Sequence, residues 1–308
     1  MAEERTRARR PARVRPAADL GEALRDALLE EIDGGLRECD GLASWEQPVR
    51  RRAVHELRRA LKRFRAGASL CKGAVDAVEV RAVQEEVRAT AERLSATRDR
   101  DVLIETIAGV CEVFPVTSRR SVTAIASAIL APEKATTSSA DWQQAAAIIR
   151  GQLEAMRSRM HGVDLRAVGP DSVADAVARR WRRARRQAAV PWNAGHLDAL
   201  HEVRKECQRL ALQLVLISRL GPRRRMERLA SRLADVVSRI GEDRDLGLLE
   251  GLLVERRGEF PDPRQVDLML REVRARRARL LRSARKRARK VLAPKAREVR
   301  RLVATGGK

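Results

Sequence analysis

The stretch from Arg51 to Arg65 reads RRAVHELRRALKRFR and holds one histidine among seven basic residues. In a helix, side chains turn by about 100° per residue, so this stretch separates into two faces. The apolar face holds Val54, Leu57, Leu61, Phe64 and Ala68. The opposite face holds His55, Arg51, Arg52, Arg58, Arg59, Lys62 and Ala66, with Arg63 at its flank. The pattern predicts an amphipathic helix with one buried side and one cationic side. The row from His55 to Lys62 rises about 10 Å, which makes it a linear track.

A second copy of this stretch lies 146 residues further along the chain. AVHELRRALKRF at 53–64 resembles ALHEVRKECQRL at 199–210, and RDRDVL at 98–103 resembles RDLGLL at 244–249, at the same offset. The shared offset indicates two homologous halves. The polar side of the second helix holds His201, Arg204, Lys205 and Gln208, with Arg209 in the position of Arg63. Gln208 replaces Lys62 and Ala211 replaces Arg65, so the second copy carries fewer cations.

Helical periodicity continues along almost the whole chain, and almost no segment alternates as a strand would. We expect helices near 19–38, 46–71, 77–97, 99–114, 118–130, 140–160, 171–188, 195–219, 223–240, 243–257 and 264–303. Glycine, proline and short polar stretches separate them, for example Gly221-Pro222 and FPDP at 260–263. The short connections predict an all-α protein of antiparallel helices packed in bundles.

The charge of the chain points to a polyanionic partner. The 308 residues include 65 Lys and Arg against 42 Asp and Glu, a net charge of +23. Such an excess destabilises a compact chain by self-repulsion unless something negative is bound. Nucleic acid, an anionic membrane surface and a phosphate polymer all fit. With three Phe, four Trp and no Tyr, the chain offers few platforms on which single-stranded bases stack. A phosphate polymer needs none, but neither does a protein that binds a duplex backbone.

The cysteines and the apolar segments indicate where the protein works. Cys39, Cys71, Cys111 and Cys207 form no CxxC pair, and we interpret them as reduced, core-facing thiols. The basic N-terminus lacks the apolar segment of a secretory signal. No apolar run approaches the ~18 residues that a membrane span needs. We therefore expect a soluble, cytoplasmic protein without membrane insertion.

Three further basic segments are candidates for contact with the same partner. RRWRRARRQ at 179–187 puts Arg179, Arg182, Arg183 and Arg186 on one helical side, which fits a cleft lining and a solvated surface equally well. In 274–290, Arg282, Arg285, Lys286 and Arg289 share a side, and a solvated face is the simpler interpretation there. Residues 1–18, interrupted by Pro11 and Pro16, are expected to form a disordered basic arm.

The motifs argue against catalysis and against a metal site. The chain has no nucleophile elbow, no glycine-rich phosphate loop followed by Lys-Ser/Thr and no clustered carboxylate pair. Asp99 and Asp101 have a DxD spacing, but helix capping or pairing with arginine is the simpler interpretation of Asp99 and its counterpart Asp245. His196 and His201 are five residues apart rather than the four of a helical HExxH site. We expect a non-enzymatic protein without cofactor or metal.

The motifs VHELRRALKRFRA and LHEVRKECQRLALQL, followed by RDRDVL and RDLGLL, resemble the CHAD domain, the conserved-histidine α-helical domain. The resemblance covers residues from about 19 to 300. It implies two four-helix-bundle-like halves, 19–165 and 166–303, related by pseudo-twofold symmetry around a basic central cleft, with a tail at 304–308. In that family the cleft binds inorganic polyphosphate, and some members sit on polyphosphate granules. The positions that match the basic motif are His55, Arg58, Arg59, Lys62, Arg63, His201, Arg204, Lys205 and Arg209.

Many members of that family also carry a triphosphate-tunnel enzyme domain. The residues before 19 leave no room for one, so we expect a stand-alone binding module. A protein that binds the backbone of DNA or RNA is the first alternative, and a polyphosphate-processing phosphatase is the second. The sequence makes no prediction about the oligomeric state.

Overall fold

The computed structural model describes residues 20–71, 95–130, 139–190, 192, 197–220 and 224–305. These residues form helices and no strand, which confirms the all-α prediction. The helices are α1 (Leu20–Leu42), α2 (Gln47–Ala68), α3 (Ser95–Val110), α4 (Val116–Leu130), α5 (Ser139–Gly162), α6 (Pro170–Ala188), α7 (Leu197–Arg219), α8 (Arg224–Glu255), α9 (Pro263–Val291) and α10 (Ala296–Ala304). The predicted arm at 1–18 and most of the predicted helix at 77–97 lie outside the described residues.

The stretch that opens the sequence analysis forms α2, with the predicted division of faces. Pro48 lies in its first turn, where the missing amide hydrogen of proline has no helical partner to lose. Val54, Leu57, Leu61 and Phe64 are all buried. Each such side chain contributes about 1.5–3 kcal/mol relative to an exposed one. Ala66, predicted on the cationic face, is buried because α7 crosses α2 there.

Helix α8 is one continuous element, so the predicted break between 240 and 243 is wrong. Ile240 and Leu246 on either side of Gly241 are both buried, so the apolar face runs through the glycine without interruption. An isolated glycine lowers helix stability by about 1 kcal/mol but does not end a helix whose face is packed. Asp245 therefore lies inside α8 and Asp99 inside α3, so neither caps a helix, and the alternative that they pair with arginine stays a prediction.

The predicted helix at 264–303 is divided into α9 and α10. Pro294 explains the interruption, because a proline disfavours helical backbone at the residue before it. The carbonyl of Pro294 accepts a hydrogen bond of 2.9 Å from Nε1 of the buried Trp181. This bond and the contacts of α10 with α6 fix the turn against the body of the protein.

The described helices share two apolar cores. The larger core takes side chains from α1, α2, α5, α6, α7, the first part of α8, the end of α9 and α10. The smaller core takes side chains from α3, α4, the end of α8 and the beginning of α9. Each core thus draws on both halves of the sequence, so the halves support each other's folding.

The two basic helices meet where α2 ends and α7 approaches its own end. The side-chain amide of Gln213 donates to the hydroxyl of Ser69 over 2.8 Å. A Cβ atom on Gly67 would lie 2.6 Å from Cδ2 of both Leu216 and Leu28. Only a glycine lets α7 and α1 approach α2 this closely, and the contact fixes the position of α7 relative to α2.

Candidate functional site

The polar face of α2 is open to solvent along its first half. Arg51, Arg52, His55 and Arg59 are exposed, whereas Arg58, Lys62 and Arg63 are half-buried. On α7, the predicted set of His201, Arg204, Lys205 and Arg209 is half-buried throughout. The face on α2 is therefore more accessible than its counterpart on α7.

Both helices carry the same ion pair at positions 146 residues apart. On α2, Glu56 pairs with Arg59 at 2.9 Å, and on α7, Glu202 pairs with Lys205 at 2.8 Å. Both pairs join residues three apart on one helix, and pairs of this kind contribute only about 0.2–0.5 kcal/mol. The carboxylates hold the cations along the helix surface without neutralising the whole face.

His201 lies among cations from two helices. Its pKa is lowered, first by burial and then by the positive charges of Lys205 and Arg244, with Arg204 adding to the effect. Glu202 opposes the shift. Arg244 belongs to α8, so the cluster spans two elements. This concentration of positive charge around a titratable ring is what an anion site requires.

Arg244 is a site residue that the predicted set omits. The sequence signal for it was the second repeated block, since Arg244 is the first residue of RDLGLL and matches Arg98 of RDRDVL. The repeat alone does not predict that this arginine lies beside His201, because that proximity depends on the packing of α8 against α7. The side chain of Arg98 is outside the described ones.

The side chain of Arg204 packs against α8. A Cβ atom at Gly241 would lie 3.2 Å from Nε and 3.3 Å from Nη2 of Arg204, so the guanidinium packs against the bare backbone of the glycine. The Nε atoms of Arg204 and of its counterpart Arg58 are both buried. The glycine therefore gives Arg204 a fixed position beside the cluster of His201 and Arg244.

The flanking arginines of the two faces contact buried carboxylates. Arg63 donates from Nε to Glu31 over 2.6 Å, and Glu31 also accepts from Arg219 over 2.9 Å. Arg209 lies 3.5 Å from the buried Glu206 of its own helix. These contacts give Arg63 and Arg209 a structural role, and their part in anion binding stays a prediction.

The four arginines predicted to share a side of α6 have different neighbours. Arg183 lies 3.9 Å from Glu206 of α7, where Arg180 also pairs at 2.8 Å. Burial lowers the pKa of Arg180. The pKa of Asp175 is lowered chiefly by a hydrogen bond from Arg300. The positive charges of Arg179 and Arg182 add to this lowering.

Arg186 is exposed on the same helix, as are Arg179, Arg182 and Arg183. The structure thus brings Arg183 towards α7 and leaves Arg179 and Arg182 nearer to α10.

The predicted row on α9 forms a surface of its own. Arg282, Arg285, Lys286 and Arg289 are all exposed. Together with Lys290 they line a depression of about 510 Å³, and its lining comes from α9 alone. The row is continuous and cationic, but its depression receives no side chain from α2 or α7.

The described residues give three further results. No three His, Cys, Asp or Glu side chains among them gather as a metal site would require. Searched over the same residues, no helix combines the length and apolar content of a bilayer crossing. All four cysteines are buried and none forms a disulfide. Burial raises the pKa of Cys71 and Cys207 to about 12.

The helices and their paired basic faces define an all-α protein with two cationic helices of the same pattern. A family model of the CHAD domain matches residues 36–254, so the chain belongs to the CHAD domain family. The chain is similar in fold to the CHAD domain from the plant Ricinus communis, with a TM-score of 0.62 and 18% identity over 92% of this chain and 97% of that one.

It is similar in fold to PptA from Streptomyces chartreusis as well, with a TM-score of 0.60 and 15% identity over 90% of this chain and 100% of that one. No curated protein matches the sequence. Membership of the family confirms the resemblance that the repeated His-x-x-Arg helices indicated.

Proposed function

We propose that the protein binds inorganic polyphosphate on the cationic faces of α2 and α7, in a cleft between its two halves. The cluster around His201 carries the proposal. Among the described charged groups that shift the pKa of this ring, Lys205, Arg244 and Arg204 are cationic and Glu202 is anionic. These cations attract an anionic ligand, and a bound anion in turn favours the protonated form of the ring.

The binding chemistry follows from the side chains. Arginine donates two parallel hydrogen bonds to a phosphate, whereas lysine acts as a mobile point charge. The partly exposed pairs Glu56–Arg59 and Glu202–Lys205 are weak, so phosphate oxygens displace the carboxylates at little cost. Each phosphate that is neutralised releases a counterion, and affinity therefore falls steeply as salt rises. The exposed rows on α6 and α9 offer further cations to longer polymers.

The test compares equal losses of charge inside and outside the proposed site. The variant Arg58→Gln with Arg204→Gln removes two charges from the site, and the control Arg7→Gln with Arg9→Gln removes two from the N-terminal segment. We expect the first pair to weaken binding of long-chain polyphosphate by about tenfold or more, since charged hydrogen bonds contribute about 1.5–3 kcal/mol each.

Because Arg58 and Arg204 are half-buried, thermal unfolding is recorded for both pairs of variants. The variant Arg59→Gln with Lys205→Gln repeats the test with less risk to the fold, because both side chains are more accessible to solvent. Equal losses from the site variants and the control would overturn the assignment.

Competition experiments separate polyphosphate from nucleic acid. DNA, RNA and long-chain polyphosphate are compared at matched phosphate concentration and at several salt concentrations. Polyphosphate is expected to displace both nucleic acids, because the chain has few aromatic platforms for bases. A preference for DNA at every salt concentration would replace the proposal with a nucleic-acid-binding function.

The same proposal makes the protein a binding module rather than an enzyme, working in the cytoplasm and on polyphosphate granules. Incubation with polyphosphate and Mg²⁺ or Mn²⁺ is expected to release no orthophosphate. Release that is abolished by His55→Ala would establish a processing enzyme instead. Localisation of a tagged full-length chain with stained granules tests the cellular part.

A further inference from the structure

A second depression lies away from the basic faces of α2 and α7, between the first half of α8 and helix α10. It has a volume of about 430 Å³, within the range of about 300–1,000 Å³ that is usual for small-molecule sites. Its apolar lining comes from Leu229 of α8, from Val299 and Leu302 of α10, and from Pro294 in the turn before α10. Val299 is buried and the other three are half-buried, so the apolar part is a floor that is fixed by the core.

Three arginines of α8 form one wall of this depression. Arg225, Arg228 and Arg232 all line it and are all exposed. Their spacing of three and four residues puts them on one side of the helix, over a rise of about 10 Å. Among the carboxylates of the described residues, none lies within ion-pair distance of these arginines, whereas Arg239 on the same helix pairs with Asp235. The wall thus offers three cations to an external anion.

Glu298 is the acidic residue of the lining. Its Oε2 accepts a hydrogen bond from the backbone amide of Lys295 over 3.3 Å, which closes the first turn of α10. The other carboxylate oxygen is able to accept a further bond. A carboxylate repels a bare phosphate chain, but it binds a ligand that offers hydroxyl or amino donors.

We infer that this depression binds a nucleoside triphosphate. Its phosphates lie among the three arginines, its base packs on the apolar floor, and Glu298 accepts from a ribose hydroxyl or a base amino group. Inorganic polyphosphate has neither an apolar body for the floor nor donors for the carboxylate. An alkyl phosphate fits the floor but offers no donor. The site shares no residue with the polyphosphate site proposed above and does not depend on it.

The test uses the full chain with Arg59→Gln and Lys205→Gln, so that binding of nucleotide to the other basic surface is reduced with little risk to the fold. Isothermal titration compares ATP, inorganic tripolyphosphate and adenosine, which separate the whole ligand from its charged and apolar parts. We expect ATP to bind at least about tenfold more tightly than either part. Tripolyphosphate that binds as tightly as ATP would show an unspecific anion surface and overturn the inference, as would the absence of ATP binding.

Two variants localise the binding. Arg228→Gln with Arg232→Gln is expected to weaken ATP binding by about tenfold or more. The control Arg264→Gln with Arg271→Gln removes two exposed arginines of α9 that lie outside the depression, and it should leave ATP binding unchanged. Equal losses from the two pairs would overturn the location.

Glu298→Gln tests the role of the carboxylate through the preference for ATP over tripolyphosphate, which a general change in charge would leave the same. Glutamine keeps the capping bond to Lys295, since glutamine also serves in a capping box. Its loss of negative charge should strengthen tripolyphosphate binding and narrow the preference for ATP. A preference that stays unchanged in this variant would contradict the proposed role of Glu298.

Discussion

The guanidinium of Arg204 lies against the backbone of Gly241, close enough that a Cβ atom there would approach Nε to 3.2 Å. Arg204 comes from one of the two basic helices and Gly241 from the next helix along the chain. The glycine therefore leaves room for a charged side chain and does not interrupt the helix. Gly241 lies just before the RDLGLL motif in α8. The helix that carries this motif therefore positions an arginine of the helix that carries the His-x-x-Arg motif.

Gly241→Ala should displace Arg204 and weaken polyphosphate binding while leaving stability nearly unchanged. Alanine favours the helix by about 1 kcal/mol, and this gain offsets the cost of moving a side-chain end. We expect a several-fold loss of affinity in a titration with long-chain polyphosphate. The matched control is Gly251→Ala in the same helix, where a Cβ atom meets nothing within 4 Å. A Gly251→Ala loss equal to that of Gly241→Ala would show that Arg204 is not positioned in this way.

The sequence predicted the division of α2 into faces because that division depends only on the helical period. It did not predict the ion pair of Arg63 with Glu31, because Glu31 lies on another helix, 32 residues away. A charged residue at the flank of an amphipathic helix looks the same in sequence whether it faces solvent or a buried carboxylate. The burial of Ala66 was missed for a similar reason, since only the approach of α7 covers it.

The helix boundaries near one glycine and one proline differ from the prediction in opposite ways. The sequence predicts an interruption at 241–242, yet the buried residues on both sides of Gly241 keep the helix continuous. Pro294 was passed over inside a long basic segment, yet it separates α9 from α10. The sequence could not place Arg244 in the candidate site, because its proximity to His201 depends on how α8 packs against α7.

Arg63→Ala is expected to cost stability more than it costs affinity. Its Nε donates to the buried Glu31, and a hydrogen bond between charged groups contributes about 1.5–3 kcal/mol. Denaturant unfolding should show a loss of roughly 2 kcal/mol. Arg59→Ala is the matched variant, since its pair with Glu56 is exposed and its removal should cost less than about 0.5 kcal/mol. Polyphosphate titration should give the reverse order, and equal effects on both readouts would contradict the distinction.

Polyphosphate affinity should rise as the pH falls, and His201 should account for part of the rise. In the free protein its pKa is below the ordinary value, chiefly because of burial and the charges of Lys205 and Arg244. Bound phosphates raise that pKa, so protonation and binding favour each other. The gain is complete below the pKa of the free protein and is lost as the pH rises through the pKa of the complex.

Titrations at constant ionic strength from about pH 5 to about pH 8 check this sign, since each unit of pKa shift corresponds to about tenfold in affinity. His201→Gln should flatten the profile, whereas His161→Gln, at an exposed position on α5, should leave it as in the wild type. Identical profiles for the wild type and His201→Gln would remove His201 from the binding site.

Gly67→Ala tests whether the contact between the basic helices supports the whole fold. The new Cβ atom would lie 2.6 Å from Cδ2 of Leu28 and of Leu216, so both leucines must shift in a packed core. Overpacking of this kind costs about 1–3 kcal/mol. Gly151→Ala in α5 meets nothing within 4 Å and should instead stabilise the protein by about 1 kcal/mol. Opposite shifts of the two unfolding midpoints are expected, and a Gly67→Ala midpoint at or above that of the wild type would mean that the crossing tolerates a wider separation of α2 and α7.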